Sequence, residues 1–199
     1  LQPLAHRKYS SQSLRSEAEL PEGVGQTVAA GQHGYIQMHY LNPTEEDLEV
    51  HVTVNATTFA PGESYVPAAA FVTYNTKISI PGGVGAAASA EGRCDVPAGA
   101  TFFALSTHAH KRSVRTTVHD GDASVLDSTD WEHPDIIAWD APGYRFTGQL
   151  VYRCDYENDR DDAVHSGPSA ETDEMCMAIG YFYPADKPVF CINDRVIAF

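Results

Sequence analysis

Ser106-Thr107-His108-Ala109-His110 follows the apolar run Phe102-Phe103-Ala104-Leu105, so two imidazoles stand one residue apart at the end of a strand-like segment. Alternate residues of a strand share a face and lie about 6.5–7 Å apart, which lets His108 and His110 address one metal ion. The spacing alone suits half-exposed strand residues equally well, and a third ligand is what would turn it into a site. The candidates for that ligand are Met175, His133, His165 and the acidic residues. Met175 sits in Asp173-Glu174-Met175-Cys176-Met177 at the head of an apolar segment, a place where methionine ordinarily fills core. Two imidazoles with one thioether would favour copper over zinc, because soft sulfur stabilises Cu(I) while the nitrogens accept both oxidation states.

The elements that must position these residues read as strands. Short runs rich in Val, Ile, Thr, Tyr and Phe cover 35–41, 48–58, 69–80, 101–107, 113–119, 136–139, 149–156, 175–183 and 189–199, and each ends at Pro, Gly, Asn or Asp or beside them. In Val50-His51-Val52-Thr53-Val54 three valines share one face, the pattern of a half-buried strand. No window carries a helical stripe. The expected fold is all-β, an antiparallel jelly-roll β-sandwich. Residues 1–34 read as an extended arm or linker, polar at first and then broken by Pro21-Glu22-Gly23-Val24-Gly25, and 35–199 as the packed domain. Two surface loops are expected: the Gly/Ala-rich stretch 82–92, and an acidic loop over 155–174 with eight Asp and Glu against one Arg. Asp155, Glu157 and Asp159 alternate as in an EF-hand, but Arg160 stands where glycine is required and Ser166 where the closing glutamate belongs, so that calcium motif fails.

The chain has 199 residues, 43% of them hydrophobic, enough for a buried core. Thirteen Lys and Arg face 27 Asp and Glu, and a formal charge of −14 repels nucleic acid and anionic lipid alike. Neither is expected as a partner, no segment has the roughly 20 apolar residues of a membrane helix, and the first residues lack a signal-peptide core. A start at Leu1 reads as a processed form or an excised segment. Cys94, Cys154, Cys176 and Cys191 contain no CxxC pair and allow two bridges in any of three connectivities, or buried free thiols. Asn55-Ala56-Thr57 fits a glycosylation sequon, a pattern too common to fix the compartment.

Several motifs in one order resemble a known family, the copper type II, ascorbate-dependent monooxygenases, which include peptidylglycine α-hydroxylating monooxygenase and dopamine β-monooxygenase. Tyr35-Ile36-Gln37-Met38-His39-Tyr40, Thr107-His108-Ala109-His110, Glu132-His133-Pro134 and Asp173-Glu174-Met175-Cys176 look like motifs of the family's C-terminal jelly-roll domain, over about residue 35 to the end. The resemblance implies that His108, His110 and Met175 hold the catalytic copper, where the family activates dioxygen and hydroxylates a substrate C–H bond. It implies that His39 is a remnant of the second, electron-supplying copper site, whose other two histidines are an adjacent pair that this chain lacks. It also implies the pairing Cys94 with Cys191 and Cys154 with Cys176, and with it an oxidising, secreted or periplasmic setting. The peptide-hydroxylating branch holds its substrate carboxylate with an Arg where Ser106 stands, assisted by Asn and Tyr where Met177 and Ile179 stand, so a glycine-extended peptide is a poor substrate for this sequence.

The expected function is therefore that of a domain with one copper ion, reduced by ascorbate or a similar donor, working with an N-terminal copper domain on a small-molecule or peptide substrate. The alternatives are a stand-alone copper protein for storage, delivery or redox chemistry, and a structural jelly roll with a vestigial site. His133 reads as a loop-fixing residue, His165 as a neighbour of the site, and His6, His33, His51 and His119 as surface residues.

Overall fold

A computed structural model of the chain describes residues 11, 14–34, 36, 38, 42 and 44–197. Every regular element among them is a strand: β1 (Val24–Gly25), β2 (Val66–Pro67), β3 (Ala69–Tyr74), β4 (Ser79–Ile80), β5 (Ala87–Asp95), β6 (Thr101–Ala109), β7 (Ser113–Asp120), β8 (Ala123–Ser128), β9 (Ile136–Ala138), β10 (Gln149–Glu157), β11 (Val164–His165), β12 (Cys176–Tyr183), β13 (Val189–Ile192) and β14 (Arg195–Ile197). No helix among the described residues is long and apolar enough to cross a membrane.

Ten of these strands form two main sheets, of order β5-β10-β7-β8 and β14-β13-β3-β12-β6-β9, and two short pairs, β1-β2 and β11-β4, complete the set. Period-two burial shows which face of each sheet is inward. In β10 the buried residues are Leu150, Tyr152, Cys154 and Tyr156, and in β12 they are Cys176, Ala178, Gly180 and Phe182. Side chains from both sheets join one core, with Leu150 and Tyr152 from the first packed in a cluster with Phe71, Phe102, Leu105 and Phe182 from the second. Covalent links follow the same path. Cys94 of β5 is bonded to Cys191 of β13, and Cys154 of β10 to Cys176 of β12, so each bridge ties one sheet to the other. This is the pairing that the resemblance implies.

Local sequence explains how β6 serves two clusters. Its pairing with β12 slips between Tyr181 and Phe182, so that Tyr181 faces Ala104 while Phe182 faces Phe102. Phe103 is the extra residue of this bulge, so it shares the outer side with Ala104 while Phe102 keeps the inward phase. Phe102 enters the core between the sheets, and Phe103 joins Val24, Ala68, Leu20, Ala104, Tyr181 and Tyr183 on the outer side.

Four expectations need correction. The Gly/Ala-rich stretch is not a loop over 82–92, because Ala87–Asp95 pairs along its whole length with β10. Small residues are required there: a Cβ on Gly92 would come within 2.5 Å of the Tyr152 ring. The Val50–Val54 pattern forms no strand among the described residues, and Val50, Val52 and Val54 are 37%, 43% and 56% exposed. Alternation makes a strand only where a partner edge accepts it. The sheet arrangement is not purely antiparallel, since β13 runs parallel to β3. The short connection over 184–188 carries the chain from β12 across the end of β3, which leaves β13 antiparallel to β12 and hence parallel to the strand between them. Finally, the acidic loop is only partly solvated: β10 runs on to Glu157, and Glu174 is fully buried.

Candidate metal centre

β6 and β12 lie side by side with Met177 opposite His108 and Cys176 opposite Ala109. Opposite residues of an antiparallel pair point to the same face, so His108 and Met177 both project from the outer side, away from the core that takes Cys176 and Ala178. His110 follows the last residue of β6 and is buried. Continuing the register by one step brings His110 level with Met175, the residue before β12. The structure thus gathers the two histidines and the methionine at the joined ends of two neighbouring strands.

The His108 and His110 rings have centroids 5.4 Å apart and planes at 82°. An imidazole nitrogen bonds a transition ion at about 2.0–2.1 Å, and rings at this separation can both reach one ion. His110 has a fixed tautomer. Its Nδ1 lies 2.9 Å from the Asp173 carbonyl oxygen, which can only accept, so Nδ1 carries the hydrogen and, in the neutral ring, Nε2 has the lone pair. This is how proteins orient a metal-binding histidine. Met175 is half-buried, and the Tyr156 hydroxyl donates to its carbonyl oxygen at 2.8 Å. The Cys154–Cys176 bridge holds the next residue.

Behind these groups lies a charged layer that sequence reasoning missed. Glu174 accepts the backbone N–H of His110 at 3.0 Å through Oε2 and that of Arg112 at 2.9 Å through Oε1. Burial pushes its carboxyl above the usual range, against the pull of the two N–H groups and of the nearby Arg112 charge. The buried Arg112 guanidinium pairs with Asp159 at 2.6 Å and donates to the Glu171 carbonyl at 2.8 Å. Lys111 reaches Asp159 at 3.0 Å, and its hydrogen bond is the main reason the Asp159 carboxyl sits below the usual range. The signal for Glu174 was in the sequence as phase: it is an even-numbered residue in step with the inward Cys176, Ala178 and Gly180.

The other named histidines lie elsewhere. His133 is exposed in the loop before β9, with Nδ1 3.7 Å from Asp130, whose carboxylate also accepts the backbone N–H of Glu132 and of His133. His165 is exposed in β11, and its carbonyl accepts the Glu174 N–H at 2.9 Å, so it contributes backbone to the site's surroundings. His33 and His51 are exposed and His119 is half-buried in β7. His6 and His39 fall outside the described residues. Among the described residues no three His, Cys, Asp or Glu side chains cluster as a metal site.

The domain is all-β and disulfide-linked, and it sets His108, His110 and Met175 at the adjoining ends of β6 and β12, side-chain types that would suit a soft transition metal. The model of the copper type II ascorbate-dependent monooxygenase C-terminal domain matches residues 68–196, and the chain belongs to that family. No individual curated protein matches it. The family is copper- and ascorbate-dependent, and the two bridges fit an oxidising, extracellular compartment.

Proposed function

We propose that this chain is the catalytic-copper domain of an ascorbate-dependent monooxygenase, a jelly-roll sandwich in which His108, His110 and Met175 hold one copper ion. The observation that carries this reading is the His110 imidazole, oriented by the Asp173 carbonyl so that Nε2 is the free donor beside His108 and level with Met175. Copper held by these three residues would supply one-electron redox chemistry toward dioxygen. The protein's own groups keep the donors in place: Tyr156 and the Cys154–Cys176 bridge fix the backbone around Met175, and Glu174 fixes that of His110. Hydroxylation of a C–H bond consumes dioxygen and two electrons, with one oxygen atom inserted and the other released as water. Ascorbate or a similar donor would supply the electrons, and a partner domain with a second copper, to which His39 would contribute a ligand, would be needed to deliver them. A secreted setting accords with this chemistry.

A stand-alone copper-binding role, in storage, delivery or redox exchange, is the second reading, and it rests on the same His108, His110 and Met175. Copper titration of the purified chain, with metal analysis and spectroscopy in both oxidation states, tests the site common to both. One equivalent is expected, lost in His108→Ala. If His108→Ala/His110→Ala protein retains one tight equivalent, the site is elsewhere. Ascorbate-dependent oxygen uptake coupled to product, on adding a domain that bears a His-His pair, separates the first reading from the second.

A further inference from the structure

His110 takes its orientation from a backbone carbonyl, so whatever holds that peptide group also holds the ring. The peptide joining Asp173 to Glu174 faces two ways. Its carbonyl oxygen lies 2.9 Å from His110 Nδ1, and its N–H, on Glu174, donates to the His165 carbonyl at 2.9 Å. The C=O and N–H of a trans peptide point in opposite directions, so the group is held between the imidazole on one side and β11 on the other. β11 is anchored in turn, with Val164 opposite Ile80 and His165 opposite Ser79 of β4, and with the Tyr74 and Ser166 hydroxyls 2.9 Å apart.

The turn that follows β11 closes on Asp173. Gly167 N–H donates to the Glu174 carbonyl at 3.1 Å, and Asp173 N–H to the Ser169 carbonyl at 2.9 Å. The Asp173 carboxylate accepts the Ser169 N–H at 3.1 Å through Oδ2 and the Thr172 hydroxyl at 3.2 Å through Oδ1. Gly167 packs against that carboxylate. A Cβ there would run into Oδ2 and lie 2.5 Å from Cγ and 2.8 Å from Cβ of Asp173. The φ of Gly167 is not in the left-handed region, so glycine is required here for space rather than for backbone conformation.

We propose that Asp173 and Gly167 are positioning residues for His110: the carboxylate, seated on the glycine, locks the turn so that the Asp173 carbonyl stays on Nδ1 and Nε2 is presented to the metal. The inference rests on the reading of His110 as a copper ligand and names what sets that ligand's tautomer. Released from the carbonyl, a neutral imidazole can carry its hydrogen on either nitrogen, and a ring protonated at Nε2 has no lone pair there for a metal. Loss of such an outer partner of a ligating histidine typically costs about 10–100-fold in metal affinity.

The test uses the full chain labelled with 15N in histidine. Ring 15N–1H correlation spectra of the metal-free protein, at a pH well above the ordinary imidazole value of about 6.5, report which nitrogen of His110 bears the hydrogen, with signals assigned from His110→Ala. Competition for Cu(I) under exclusion of dioxygen gives the affinity of the same samples. The parent should show Nδ1–H. Asp173→Ala and Gly167→Ala should each admit the Nε2–H form and lower Cu(I) affinity about tenfold or more, and the double variant should lose little beyond either single one, because both break one contact. Asp173→Asn keeps the shape and one acceptor and should move both readouts the same way by less, which keeps the test open should the alanine variants fail to fold. A parent ring with its hydrogen on Nε2 overturns the proposal. Folded variants that keep the parent's tautomer or the parent's affinity also overturn it, and leave Asp173 and Gly167 a structural role. Absence of copper uptake by the parent, or uptake that His110→Ala leaves intact, overturns the copper reading instead, while the ring spectra still decide what holds the tautomer.

Discussion

Glu174 is hydrogen-bonded through one carboxylate oxygen to the backbone N–H of His110, and it is the residue immediately before Met175. His110 and Met175, far apart in sequence, are therefore linked through a single buried carboxylate. The other oxygen takes the Arg112 N–H, so the turn from β6 to β7 is clasped to the strand entering β12.

Removing that clasp should be costly. Glu174→Ala leaves two N–H groups and the Arg112 guanidinium short of an acceptor in a site with no solvent, and the loss expected on breaking such a buried pair is about 3–5 kcal/mol. Glu174→Gln keeps one acceptor and should lose about 1–3 kcal/mol. Denaturant unfolding of both variants checks this, and an alanine variant within about 1 kcal/mol of the parent would show that the clasp is dispensable.

Met175 separates a redox copper site from a packing residue. As a ligand, its replacement in Met175→Ala should lower Cu(I) affinity about tenfold or more while the fold holds, because the residue is only half-buried. As core filler it would cost about 2–5 kcal/mol and leave metal affinity unchanged. Cu(I) competition titration and thermal unfolding, run side by side, decide.

The bridges should be strongly stabilising. With sequence separations of 97 and 22, the chain-entropy model gives about 3–5 kcal/mol for each as an upper estimate. Reduction should lower the melting temperature in two steps if the bridges differ in accessibility to thiol. Peptide mapping under non-reducing conditions that finds Cys94 joined to Cys154 would contradict the fold.

Alkaline pH should unfold the domain through its buried tyrosines. Burial raises the Tyr152 hydroxyl to about 12, and raises Tyr156 further still. A folded-state value above the ordinary one of about 10 means that this contribution is intact below pH 10 and is lost as pH climbs toward 12. Phenolate absorbance should show two tyrosines that ionise only as circular dichroism reports unfolding. Their ionisation near pH 10 in the folded protein would contradict the burial.

The site was legible where residue type and local alternation suffice. His108 and His110 close an apolar run, and β6 is the strand that this run forms. The head of β12 is similarly marked by Met175-Cys176-Met177 before a long apolar stretch. What escaped depends on neighbours that the local sequence does not name. Ala87–Asp95 looks like a flexible loop because its small residues make room for tyrosines of β10 sixty positions away, as Gly92 does for Tyr152. Val50–Val54 carries a strand pattern and finds no paired edge among the described residues. Glu174 looked like one more solvated acid in a run of eight, and only its phase with Cys176 marked it as inward.

The Cys94–Cys191 bridge also governs how the molecule carries mechanical load. Strands β6 and β12, whose adjoining ends carry His108, His110 and Met175 in or beside them, lie inside the covalent loop it closes, as does the Cys154–Cys176 bridge. Tension applied at the two ends of the chain passes through the sulfur–sulfur bond and bypasses the loop's 97-residue separation. Pulling can peel away the segment before β5 and the hairpin end after β13, yet His108, His110 and Met175 stay in a part of the chain that force cannot extend while the disulfide is intact.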